Sequence, residues 1–303
     1  MPQIFQIILT IIAPILLVAG LGALLSRIKA IDARSISQIV IYLASPSLAF
    51  YGTANAAIQG KELADLFLFY FLATGTITVL AWLITGWLRM SRLTRSAFIL
   101  SIALTNVANY GIPLNEFAFG QRGLERAIIV GVLGGIYANT VGVFLASSGK
   151  ASLRRAFGNV WKVPLPYAAV LGLSVNFGYL PAPNMVMRIT GLLGNAAVPL
   201  MLIMLGMQVA QVSLRGQWGV MIGAALLRLL GGAAVGFSFS ALLGLEGATR
   251  QVAIVEASMP TAVIAGILAT EFNSDSQLVS SVIFLSTLLS LVTLPWIIFL
   301  LLS

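Results

Sequence analysis

The sequence of 303 residues contains no cysteine and no histidine. The first absence removes disulfides, thiol nucleophiles and thiolate metal sites, and the second removes His-ligated metals and catalysis of the Ser-His-Asp kind. Acidic residues number nine, and charged residues of both signs make up only 9% of the chain, against roughly 25% in soluble domains. A chain so poor in charge cannot clothe a soluble core of its own size. What it has instead is a 59% hydrophobic composition and a mean hydropathy of +1.01. These describe an all-α polytopic membrane protein surrounded by lipid. An enzyme is not expected, since only Glu256 with a Ser or Thr remains for catalysis and no cofactor motif is present.

The net charge of +8 does not point to nucleic acid, because the cations lie in short stretches between apolar runs and are explained by the positive-inside rule. Apolar segments of about 20 residues, the length that crosses a bilayer, fall at 4–26, 35–57, 63–88, 95–119, 124–147, 164–180, 186–210, 217–243, 250–271 and 277–301. That makes ten. The short sixth and the prolines in the second and seventh leave nine or eleven open. The first run lacks a basic leader and an A-x-A site, so it reads as a retained helix. With the N-terminus outside, eleven Lys and Arg fall in inner loops and five in outer ones, so both termini are expected outside a prokaryotic plasma (inner) membrane.

Spacings recur between the halves. Pro46 and Pro199 are 153 apart, Arg95 and Arg250 are 155 apart, and Pro14 and Pro166 are 152 apart. Five segments per half is an odd number, which inverts the second half relative to the first. The expected organisation is residues 1–148 as a first five-helix repeat, 149–163 as a cytoplasmic linker and 164–303 as an inverted second repeat.

Polar residues interrupt the apolar pattern in two matching places. The fourth segment reads TNVANYGIP in its middle, and the ninth reads EASMPT. At the 155-residue interval Thr105-Asn106 matches Pro260-Thr261. Unwinding at both places makes broken helices 4 and 9 cross as an X near the midplane. The half-helix N-termini there suit an anion, and the C-terminal carbonyls suit a cation. Asn106 and Asn109 can bind a carboxylate without a buried charge, and Gly111 and Pro113 oppose rewinding. Glu256 is an ionisable group in an otherwise uncharged run, a functional candidate by default. It would hold Na⁺ with Thr105, Asn106 or freed carbonyls, or carry a proton itself. The competing structural reading pairs it with Arg228, which in turn could snorkel or meet the substrate. Asn139, Thr140 and Gln208 are further candidates whose plainer role is interhelical hydrogen bonding.

TNVANYGIP resembles the Asn-x-x-x-x-Gly-x-Pro signature in the fourth helix of the auxin efflux carriers, the PIN-like family with bacterial members. EASMPTAVIAGILATEF is similar to their ninth helix and STLLSLVTLPW to their last. The resemblance implies a scaffold of helices 1, 2, 6 and 7, a transport unit of helices 3–5 and 8–10, elevator-type alternating access and a homodimer. It places the crossover at Thr105-Asn106 and Pro260-Thr261. Thr105 departs from the proline usual in plant members, and Glu256 resembles the sodium-binding glutamate of the related bile-acid symporters. Both differences favour cation coupling, Na⁺ or H⁺. The expected function is secondary transport of a small organic anion, with sodium symport of a sterol-like anion, or solute reception without transport, as alternatives.

Overall fold

The computed structural model describes residues 2–28, 31–147, 163–210, 212 and 217–303. Of the expected linker at 149–163, residues 149–162 lie outside them, as do Lys29 and Arg215. All regular structure among the described residues is helical, apart from one isolated antiparallel bridge, Thr105 to Thr261. In chain order the helices are α1 (Gln3–Ile28), α2 (33–54), α3 (Gly60–Trp87), α4 (Arg92–Ala103), α5 (107–119) and α6 (121–146). They continue as α7 (Pro164–Asn176), α8 (Asn184–Ala210), α9 (Trp218–Leu242), α10 (Gly247–Ala257), α11 (Val263–Glu271) and α12 (Ser276–Leu302).

Among the described residues, six helical runs are long and apolar enough to cross a membrane, and one of these, Val107–Ala146, is 40 residues. At 1.5 Å per residue a straight helix of that length would overshoot a bilayer. It does not run straight. Gly120 sits at φ 64°, ψ −152° inside it, a conformation open to glycine and costly to other residues. The two arms then return against each other, since a methyl at Gly131 would touch Ile112 and one at Gly134 would strike Val107. A hairpin of α5 and α6 is the result, at the boundary the segment pattern placed near residue 120.

Small residues set the closest contacts. A Cβ at Gly22 would strike the Ile203 carbonyl and one at Gly206 that of Ala19, so α1 and α8 touch backbone to backbone. Gly172 lies against Phe50 and Thr53, and Gly194 against Ser47 and Leu48, which seats α7 and α8 on α2. Such glycine-mediated approach is how helices gain contact where lipid competes for apolar surface. Among the described residues, five helices also contain a π-helical turn, at 8–12, 40–44, 107–111, 138–142 and 227–231. The last three carry Asn109, Asn139 and Arg228, in keeping with the frequent placement of such turns at functional positions.

Arg126, which the loop pattern counts among outer cations, is instead buried at the start of α6. Its Nη2 donates to Glu62 Oε1 at 2.7 Å and its Nε to Thr249 Oγ1 at 3.0 Å, and Thr249 Oγ1 donates to the same Glu62 oxygen at 2.8 Å. Ala57 N–H donates to Glu125 at 3.0 Å. This polar cluster ties α3, α6 and α10 together at one end of the molecule, the end at which the loop charges place the outside.

Candidate functional site

The α4 helix stops at Ala103 because the next residues find a partner in another segment. Leu104 is extended at φ −103°, ψ 107°. Asn106 N–H then donates to the Pro260 carbonyl at 2.9 Å, and Ala262 N–H donates to the Leu104 carbonyl at 2.8 Å. Pro260 has no N–H to offer a helix. Thr261 replaces helical bonds with side-chain ones: its N–H donates to Ser286 Oγ at 3.1 Å and its Oγ1 to the Ser101 carbonyl at 2.7 Å. Two short extended stretches therefore cross, flanked by four helix ends, and the bonds between them give several backbone groups freed from the helices partners within the protein, as membrane depth demands.

The four ends face different ways. Asn106 to Asn109, at the start of α5, and Ala262 to Ile264, at the start of α11, line one cavity of about 350 Å³. This lies at the small end of the range for small-molecule sites. Its other walls come from α2 (Ser37, Tyr42 and Ser45), from α6 (Gly135 and Asn139) and from α8 (Met204 and Gln208). Among the described residues, none that lines it is charged. Two of the residues that line it carry a buried side-chain atom with no protein partner, Asn106 Nδ2 and Gln208 Oε1. The partial positive charge of a helix N-terminus favours an anion, and two such termini open on this cavity.

Not every expected residue lies on this cavity. Thr105, Asn106, Asn109, Asn139 and Gln208 line it, whereas Gly111, Pro113, Thr140, Pro260 and Thr261 do not. Asn139 Nδ2 donates to the Gly135 carbonyl at 2.9 Å, and Thr140 Oγ1 to that of Ile136 at 2.7 Å. Gly111 does a different job. A methyl there would strike the Glu256 carboxylate, so the glycine is the floor on which that group rests.

Glu256 is 2% exposed. Its Oε1 accepts from Asn115 Nδ2 at 2.8 Å, the same amide donates to the Gly111 carbonyl at 2.9 Å, and Oε2 has no protein partner. The Glu256–Arg228 pair that competed with a functional role is not formed. Arg228 instead donates Nη1 to the Ile102 carbonyl at 2.6 Å and Nη2 to the Ala257 carbonyl. Neither is it at the lipid or in the cavity, since it is 1% exposed and absent from the cavity wall.

Two residues join the set only in three dimensions. Asn115, partner of Glu256, lies four residues beyond Gly111, and that helical spacing was the one signal for it. Tyr70 of α3 lines the cavity and also the small space beside Arg228 and Glu256. In the sequence it is one aromatic in an apolar run.

The profile of a family described as membrane transport proteins matches residues 7–161 and 159–298 of the chain. The chain is 34% identical over 272 residues to an uncharacterized transporter of Methanothermobacter thermautotrophicus, covering 87% of each protein. It is 28% identical over 297 residues to another from Methanocaldococcus jannaschii, covering 95% of this chain and 96% of that one. The crossing of two interrupted helices, the apolar helices around it and these likenesses agree: the chain is an integral membrane protein and belongs to the membrane transport protein family of the auxin efflux carriers, a family of transporters and not of enzymes.

Proposed function

We propose that this protein is a secondary transporter of a small organic anion, a carboxylate, working by elevator-type alternating access and coupled to a cation, Na⁺ or H⁺. The observation that carries the reading is the cavity onto which both half-helix N-termini open, lined in part by Asn106, whose buried Nδ2 has no protein partner. The uncharged side chains of its described lining support binding that releases, since helix ends and amides attract an anion without the cost of separating it from a buried cation. A volume of about 350 Å³ favours a small carboxylate over a sterol-sized one.

The elevator reading draws on how the helices group. Glycine contacts bind α1, α2, α7 and α8 to one another, which matches the scaffold, while the crossover is held by bonds among α4, α5, α9, α10 and α12. The cavity lies between these groups, with α2 and α8 on one wall and the crossover on the other. In this reading the helical runs make ten membrane segments in two inverted repeats, counting the α5–α6 hairpin as two arms and each broken helix as one. A homodimer through the scaffold, a plasma membrane location and outside termini complete the picture.

Coupling belongs to Glu256. Its free Oε2 and the unused Asn115 Oδ1 are two oxygens to which a Na⁺ or a proton can bind, and either neutralises a carboxylate that membrane burial otherwise penalises. A thermal-shift screen of purified protein against carboxylates, with and without Na⁺ and from acid to neutral pH, followed by uptake into proteoliposomes, tests the whole reading. Stabilisation by a carboxylate with concentrative uptake is expected. Binding without uptake would leave a solute receptor.

A further inference from the structure

Arg228 is among the largest fully buried side chains of the protein, set on the π-helical turn 227–231 of α9. A charge at that depth is expensive unless it is partnered, yet among the described residues no carboxylate pairs with it. Its partners are two backbone carbonyls, those of Ile102 and Ala257. Ile102 is in the last turn of α4 and Ala257 is the last residue of α10. They are 155 residues apart, the interval that also relates Arg95 to Arg250. One guanidinium therefore closes the equivalent ends of both interrupted helices. Gly232, four residues on, makes the room: a Cβ there would strike both the Arg228 guanidinium and the Ala257 carbonyl.

The carbonyls of a final helical turn lack helical partners and carry about half a negative charge per helix. Two such ends directed at one place repel each other, and a single positive charge offsets both. We propose that Arg228 is the resident cation of the crossover, a positioning residue that bridges the C-terminal ends of α4 and α10 and keeps them closed to exchangeable ions. The division of labour follows from direction. Both N-termini stay open on the cavity for an anion, while both C-termini are occupied from the opposite side by the protein's own charge. Arginine suits the task because its planar fork reaches two acceptors at once, where a lysine ammonium is a compact point charge. Taken with the proposed coupling at Glu256, this leaves one exchangeable cation to the crossover, approached from the Asn115 side and not through the Ala257 carbonyl.

The test is hydrogen exchange of the purified protein, read by mass spectrometry, which needs no solute and so can fail independently of the transport reading. In Arg228→Ala, amides of 102–107 and 257–262 should exchange about tenfold faster or more, with the α1–α8 contact unchanged. Millimolar guanidinium should restore that protection selectively, and choline at equal ionic strength should not. Unchanged crossover protection in the variant, or a loss that guanidinium leaves uncorrected, overturns the proposal. Should Arg228→Ala fail to fold, Arg228→Lys keeps the charge without the fork. It should fold with exchange raised at the crossover alone, and protection equal to the parent protein would refute bridging by the fork.

Discussion

At the scale of single residues, the site consists of a few polar atoms left unsatisfied in an apolar molecule. Asn106 Nδ2 is one. A hydrogen bond to a charged group contributes about 1.5–3 kcal/mol, so Asn106→Ala should weaken carboxylate binding about ten- to a hundredfold while leaving the melting temperature without ligand nearly unchanged. Equal affinity in a titration would remove Asn106 from the site. Glu256→Gln keeps the size and the bond from Asn115 but not the charge. It should erase stabilisation by Na⁺ and the pH dependence of uptake together, and persistence of both would show that the coupling group lies elsewhere. Gly111→Ala places a methyl on the Glu256 carboxylate. Crowding of this kind costs about 1–3 kcal/mol, read as a lower melting temperature, and restoring room with Glu256→Ala in the same chain should recover part of it.

At the scale of elements, helix starts and close contacts explain how the site is held. Asp32 caps α2, accepting from Arg34 N–H at 3.0 Å and from Ser35 Oγ at 3.1 Å. The backbone bond from Arg34 leads the causes that hold its carboxyl below the usual aspartate range. A lowered folded-state value means that the cap's stabilisation is present above the unfolded value and is lost as pH falls through the folded one. Asp32→Ser retains a capping oxygen without the titration, so its acid-limb melting curve should be flatter than that of the parent. A parallel acid limb would contradict this. The α1–α8 contact is a harsher test. Gly206→Ala drives a methyl onto the Ala19 carbonyl, a backbone that cannot step aside as a side chain can, so a drop in stability of about 1–3 kcal/mol is expected. Its signature in hydrogen exchange should be confined to α1 and α8.

For the whole molecule, the question is which helices move together. The lack of native cysteine gives a clean background for cross-linking. Gly52 of α2 faces Ile128 of α6, since a Cβ at Gly52 would meet the Ile128 Cδ1, and the two helices belong to different groups in the elevator reading. Paired cysteines at these positions should stop uptake on oxidation and regain it on reduction. Full uptake with the cross-link formed would exclude sliding between α2 and α6. The Arg126–Glu62–Thr249 cluster binds three helices of the proposed moving unit. Removing Arg126 strands two carboxylates, Glu62, which is partly exposed, and Glu125, which is buried, so Arg126→Met should cost about 3–5 kcal/mol, as breaking a buried pair does, measured by thermal unfolding.

The sequence by itself determined the class of protein and the place of the break. Composition alone excludes a soluble core, and TNVANYGIP with EASMPT marks the two interruptions because amides, Pro and an acid are conspicuous where everything else is apolar. The resemblance named the family for the same reason. Tertiary structure decided what each polar group does, because in a membrane helix a polar residue states a need for a partner without saying which. Arg228 went to two carbonyls and not to Glu256, and Glu256 to Asn115. Gly111 proved to pack under the Glu256 carboxylate, away from the cavity. Arg126, read as a loop charge, lies in a buried cluster. Those outcomes depend largely on contacts between residues far apart in the chain, such as 102 with 228 and 115 with 256, for which local pattern carries almost no signal.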